Sequence, residues 1–101
     1  MNVSPQLIDK LNEARRLAGV PFVITSGARC VSHNRKVGGT PNSSHIRGLA
    51  VDIACPSSQA RYAVLKGLFL AGFTRIGYNQ AKNFFHCDID GSLPQNVFFE
   101  Y

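Results

Sequence analysis

No stretch of this sequence approaches the about 18 consecutive apolar residues that a membrane-spanning helix needs, so we expect no membrane span. The first residues, MNVSPQLIDK, also lack the basic start and the apolar run of a secretory signal. If the protein acts outside the cytoplasm, we therefore expect a route other than its own signal peptide.

The cysteines are few and unpaired in pattern: Cys30, Cys55 and Cys87 form an odd set without a CxxC motif. We expect no disulfide framework, although a single Cys30–Cys55 disulfide is an alternative, and we expect Cys87 to be a small core residue.

At 101 residues, 45% of them apolar, the chain can bury a core without disulfide cross-links. No linker, internal repeat or low-complexity segment divides it, so we expect one monomeric domain over residues 1–101.

Acidic residues are also scarce, because six Asp and Glu face eleven Lys and Arg, for a net charge of +5. A basic protein suits acidic partners such as nucleic acids or anionic cell-wall polymers. However, the basic residues are scattered, and no basic helix with interleaved aromatic residues is present. We therefore expect no nucleic-acid partner.

Helical and strand periodicities alternate along the chain. Pro5 suits the first position of a helix over residues 5–18, Ser4 can cap it, and Gly19 can end it. A loop of about twenty residues over 26–47 is unusual in so small a domain, and such loops are commonly functional. The other predicted elements are a helix over about 58–71 and strands over 21–25, 48–54, 73–78, 84–90 and 97–101. This order predicts an α+β fold, a mainly antiparallel sheet with two helices packed against it.

The strand over 48–54 carries one carboxylate among small residues. Its large apolar side chains face one side, and Asp52 shares the other with Gly48, Ala50 and Ala54. Small neighbours leave room above the sheet for a metal ion and a substrate. The alternative is an ordinary solvent-facing aspartate on an amphipathic strand.

Two histidines can converge with Asp52 on one ion. His45 lies seven residues before Asp52, where the long loop enters the strand, and alternation places His86 and Asp88 on one face of strand 84–90. Two His and one Asp with an open fourth position form a ligand set suited to catalytic zinc. Such an ion lowers the pKa of a bound water to about 7 and polarises a carbonyl, which are the two needs of amide hydrolysis.

A longer pattern connects these residues to a known family. The segment 43–52, SSHIRGLAVD, has the form SxHxxGxAxD, and a late His-x-Asp follows it. Upstream, TSGARC at 25–30 precedes Asn34 and the Gly38-Gly39 pair. In this order and spacing the elements resemble the zinc D-alanyl-D-alanine carboxypeptidase family, part of a group with lysostaphin-type and hedgehog-like metallopeptidases. The resemblance covers about residues 20 to 90, and it implies the same α+β architecture.

The resemblance also implies a role for each matching residue. His45, Asp52 and His86 match the ligands of one Zn²⁺ ion. Arg29 matches an arginine that stabilises the oxyanion or binds the substrate, a task suited to its fixed charge and planar donors. Ser43 matches a serine that holds the substrate carboxylate or orients the ligand histidine, although it could also simply cap a turn.

The general base is where this sequence departs from the better-known branches of that family. Those branches place Glu, Asp or His two or three residues before the last ligand histidine, where this chain has Phe84 and Asn83. Asp88 shares the face of His86 and is our first candidate for activating the water. An alternative register makes Asp88 the ligand and His86 the base. Weaker candidates are Asp90, Glu100 and His33.

The function implied by the resemblance is hydrolysis of a peptide bond in the peptide stem of bacterial peptidoglycan, by a carboxypeptidase or an endolysin-type endopeptidase. The alternative is a catalytically inactive, zinc-stabilised module for cell-wall binding or phage assembly, and the missing upstream base supports it. Without a signal peptide, we expect the protein to reach the wall through phage-type release, in a phage particle or as part of a larger protein.

Overall fold

A computed structural model describes residues 3–26 and 48–100 of the chain. Two helices are present, α1 (Pro5–Ala18) and α2 (Ser58–Leu70). Five strands accompany them: β1 (Ile24–Ser26), β2 (Ala50–Ala54), β3 (Arg75–Asn79), β4 (Phe84–Asp88) and β5 (Val97–Glu100). Apart from Ser26, which ends β1, the loop predicted over 26–47 lies outside the described residues.

The five strands form one sheet in the order β1-β2-β4-β3-β5. Neighbouring strands run antiparallel except β3 and β5, which pair in parallel. The predicted α+β fold with a mainly antiparallel sheet and two helices is therefore confirmed. Within the described part of the chain, neither helix is long and apolar enough to cross a bilayer.

The helix ends follow local chemistry. Pro5 begins α1, and Gly19 ends it in the left-handed region at φ 74°, donating its N–H to the Arg15 carbonyl. The predicted cap at Ser4 is wrong in one respect, because its hydroxyl bonds to the Gln6 side chain and not to a backbone N–H. At α2, the Ser57 hydroxyl accepts a hydrogen bond from the Ala60 N–H, which caps that helix.

One face of the sheet packs against both helices and forms the core. Val51 and Ile53 of β2 are almost completely buried there, which confirms the apolar face predicted for this strand. Cys87 lies in the same core, as predicted, and both it and Cys55 are buried free thiols; Cys30 lies outside the described residues. The remaining core residues come from both helices, the central strands and the connection between α2 and β3: Leu7, Ala14, Val64, Leu68, Phe73, Ile76 and Phe85.

The strand bounds differ slightly from those predicted. β1 begins at Ile24 instead of Pro21, and its pairing with β2 is irregular between Ile24 and Ser26. β4 ends at Asp88, because the chain then turns at Asp90, whose carboxylate accepts the N–H and hydroxyl of Ser92. Side-chain hydrogen bonds of this kind compete with strand pairing, and periodicity alone does not reveal them.

The two helices approach closely at Gly67 of α2. A methyl group there would collide with the Ala14 carbonyl oxygen and lie 2.7 Å from the Ala18 Cβ, so a backbone or side chain must shift. We expect Gly67→Ala to lower the free energy of unfolding by about 2 kcal/mol, since overpacking outweighs the gain in helix propensity.

Urea denaturation checks this expectation against Gly91→Ala as the matched control. A Cβ at Gly91 meets no atom within 4 Å, so that variant should stay within about 0.5 kcal/mol of the wild type. Equal stability of the two variants would show that α1 and α2 are not packed this closely.

Candidate metal centre

The second face of the sheet brings Asp52 and His86 together. The two residues are direct cross-strand partners on β2 and β4, so their side chains leave the sheet on the same side. His86 Nδ1 lies 3.3 Å from Asp52 Oδ1, and both side chains are largely buried. These two of the three predicted ligands thus lie side by side.

The opposite nitrogen of the His86 ring contacts Asp88. Nε2 lies 2.6 Å from Asp88 Oδ2, as alternation along β4 places both residues on one face. Arg75 on β3 donates from Nε to both oxygens of the same carboxylate, at 2.9 and 3.1 Å. The Asp90 N–H adds a hydrogen bond of 3.1 Å to Oδ1. The Asp88 carboxylate, fully buried, is therefore held by three residues.

Burial and charge act in opposite directions on both groups. Burial lowers the pKa of His86, but hydrogen bonds to Asp52 and Asp88 and their negative charges outweigh it, so the pKa is raised. Burial raises the pKa of Asp88, but hydrogen bonds from His86, the Asp90 N–H and Arg75 outweigh it, so the pKa is lowered. Asp88 is accordingly a carboxylate, and its Oδ2 accepts a hydrogen bond from the Nε2–H of His86.

Phe99 forms one wall of this face. Its ring lies 5.9 Å from the His86 ring, and the two residues are separated on the sheet by Gly77, which pairs with both. Because Gly77 has no side chain, an aromatic ring on β5 can reach across β3. The Phe99 ring also lies beneath the Arg75 guanidinium, at 5.3 Å. On the β2 side, Ala50 is the cross-strand partner of Asp88, and its small side chain leaves space above the sheet, as predicted.

The remaining predicted site residues divide into two groups. Arg29, Ser43, His45 and the weaker candidate His33 lie outside the described residues. Among those described, Glu100 is the cross-strand partner of Tyr78, so its side chain lies on the face opposite His86. Asp90 lies buried in the turn after β4. Within 3–26 and 48–100, no group of three His, Cys, Asp or Glu side chains forms a complete metal site.

Asp52 and His86 nevertheless fit two positions of a zinc site. Ligand atoms at about 2.0–2.2 Å from a tetrahedral Zn²⁺ ion are about 3.3–3.5 Å apart. The observed separation of Nδ1 and Oδ1, 3.3 Å, falls in this range. Since Nε2 carries the proton shared with Asp88, the neutral imidazole has its lone pair on Nδ1, facing Asp52. A lone pair and a carboxylate so close together require a cation or a proton between them.

Arg75 and Phe99 were not identified from the sequence. Each reaches the site only through the pairing of β3 with β4 and β5, and a single sequence gives no register between strands. The alternation within β3 does place Arg75 and Gly77 on one face, but it does not indicate that this face meets His86.

Comparison with known proteins agrees with the fold. The crystal structure of the L-Ala D-Glu endopeptidase ChiX of Serratia marcescens matches with a TM-score of 0.61 and 24% sequence identity, over 88% of this chain and 81% of that chain. A comparison with curated protein sequences found no match. The model of the family described as peptidase M15 matches residues 1–88 and supports the resemblance drawn from the sequence motifs. The chain belongs to the peptidase M15 family.

Proposed function

We propose that this protein is a zinc-dependent peptidase that hydrolyses a peptide bond in the stem of bacterial peptidoglycan. The observation that carries the proposal is the 3.3 Å approach of His86 Nδ1 to Asp52 Oδ1, on a face where Ala50 and Gly77 are the small neighbours. Membership of the peptidase M15 family supports the reaction class, and His45 is the proposed third ligand.

The bound ion would supply two things, an acidified water and a polarised substrate carbonyl. The residues of this chain would hold the ion and the substrate. Asp52 and His86 bind the ion, Ser43 binds the substrate, and Arg29 binds it too and donates hydrogen bonds to the carbonyl oxygen as negative charge develops there. The last two roles rest on the family resemblance.

The contacts of Asp88 favour one of the two arrangements that the sequence left open. His86 offers Nδ1 to Asp52, so His86 is the proposed ligand and Asp88 is not. Asp88 lies against the other ring nitrogen, fully buried, with both oxygens already accepting hydrogen bonds. These contacts favour an orienting role, acting through His86, over direct activation of the water. A carboxylate–histidine–zinc arrangement of this kind fixes the ring tautomer of a ligand.

The first substrate to test is a peptidoglycan fragment containing the L-Ala–D-Glu bond, since the structural neighbour is named for that bond. We expect the zinc-loaded protein to release peptide products that mass spectrometry identifies. Products cut inside the stem would indicate an endopeptidase, and loss of a terminal D-Ala would indicate a carboxypeptidase.

Metal removal provides the matching control. We expect chelation to abolish turnover, Zn²⁺ to restore it, and Mg²⁺ to leave it absent, because Mg²⁺ prefers octahedral oxygen ligands. A protein that binds zinc but cuts no fragment would instead support the non-catalytic wall-binding module. That alternative has one structural observation in its favour: at the usual base positions, Asn83 lies in the turn before β4 at φ 54° and Phe84 begins the strand, and neither side chain can accept a proton.

A further inference from the structure

Arg75 makes four contacts around the proposed site, and none of the four is with Asp52 or His86. Its Nε donates to both oxygens of Asp88, and its Nη1 donates to the Pro94 carbonyl at 2.6 Å. Its guanidinium also lies over the Phe99 ring. Only 11% of the side chain is exposed, so these contacts fix it in one position.

These contacts leave the Asp88 carboxylate one orientation. Oδ1 accepts from Arg75 and from the Asp90 N–H, and Oδ2 accepts from His86 and more weakly from Arg75. Rotating the carboxylate to release Nε2 of His86 would break hydrogen bonds in a buried environment, which is costly. The arginine therefore limits which atom Asp88 can present to His86.

Phe99 provides a second connection between Arg75 and His86. Its ring contacts both the Arg75 guanidinium and the His86 imidazole, so displacement of Arg75 would disturb the packing of the imidazole as well. A lysine could supply charge to Asp88, but it lacks the planar group that stacks on Phe99 while donating to Asp88 and Pro94.

We propose that Arg75 is a positioning residue for the metal site. It fixes the orientation of the Asp88 carboxylate, which accepts a hydrogen bond from Nε2–H of His86. The proton is thereby kept on Nε2, and the lone pair of Nδ1 faces Asp52. The expected effect on zinc affinity rests on the proposed function. The contact between Arg75 and Asp88 itself is present without the metal. Arg75 touches neither substrate nor ion in this scheme, and it acts only through Asp88 and Phe99.

A double-mutant cycle on the full chain tests the proposal. We expect Arg75→Gln to weaken zinc binding about 10-fold and Asp88→Asn to weaken it about 10- to 100-fold, as found for groups that orient metal ligands. Because Arg75 acts through both Asp88 and Phe99, the loss of zinc affinity in the double variant should exceed that of Asp88→Asn only slightly and fall well below the sum of the two single losses. Arg75→Lys should recover part of the loss.

Arg61→Gln is the matched control, since Arg61 is a half-buried arginine that donates to the Tyr78 hydroxyl, and we expect less than a 2-fold change in zinc affinity. Chelator competition gives the affinities, and urea unfolding verifies that each variant is folded. Nitrogen-15 NMR of the metal-free protein, at a pH where the imidazole is neutral, reports the tautomer. We expect Nε2–H in the wild type and a mixture of tautomers in Arg75→Gln.

Two results would overturn the inference: an unchanged His86 tautomer together with unchanged zinc affinity in Arg75→Gln, or additive losses in the double variant. A wild type that binds no zinc would contradict the proposed function instead. In that case the tautomer measurement alone would still decide the role of Arg75.

Discussion

Asp52→Asn is expected to abolish tight zinc binding and to lower kcat/KM on peptidoglycan fragments about a thousandfold. The substitution keeps the shape of the side chain but removes the charge that faces Nδ1 of His86 at 3.3 Å. A catalytic metal contributes several kcal/mol, roughly 4, to stabilising the transition state, and each factor of ten in rate corresponds to about 1.4 kcal/mol. Steady-state kinetics and elemental analysis of the same preparation provide the two measurements.

The control for this variant is Asp9→Asn, the same chemical change at an exposed position of α1. Its metal content and activity should equal those of the wild type. An Asp52→Asn protein that retains one zinc ion and normal turnover would mean that Asp52 is not a ligand.

Asp88→Ala is expected to lower the free energy of unfolding of the metal-free protein by about 3 kcal/mol. Removing one partner of a buried ion pair leaves the other charge buried without compensation, and such losses are commonly about 3–5 kcal/mol. We expect the lower end of the range because Arg75 keeps its contacts with Pro94 and Phe99. Urea denaturation, with the slope of the transition checked for two-state behaviour, measures the change.

Glu13→Ala offers a matched comparison, because Glu13 also pairs with an arginine, Arg16, but on the exposed surface of α1. Exposed ion pairs contribute little, so this variant should show no resolvable change in stability. Equal losses of stability in the two variants would mean that the buried ion pair between Arg75 and Asp88 stabilises the fold no more than an exposed pair does.

Much of the fold could be predicted from the sequence because its signals are local. The 3.6-residue periodicity, Pro5 and Gly19 define α1, and strict alternation predicts which side of β2 packs in the core. Strand ends were less predictable. At β4 the strand stops where the Asp90 side chain bonds to Ser92, a competition that hydrophobic pattern does not encode.

The site was predictable to the extent that it follows the same alternation. Asp52 shares its strand face with small residues and His86 shares its face with Asp88, so the approach of Asp52 and His86 required only that β2 and β4 be neighbours. The family pattern supplied only the expectation that both residues bind one ion. Arg75 depends on the antiparallel pairing of β3 with β4, and Phe99 on the parallel pairing of β3 with β5; no residue in these strands signals either pairing by itself. The role of Asp88 likewise emerges only once Arg75 is seen beside it.

The most direct test of the proposed metal centre is anomalous diffraction from a crystal of the zinc-loaded protein. We expect a single zinc peak within about 2.2 Å of both His86 Nδ1 and Asp52 Oδ1, with His45 as the third protein ligand and Asp88 still bonded to Nε2. A zinc ion bound elsewhere, or one coordinated through Nε2 of His86 or by Asp88, would contradict this account.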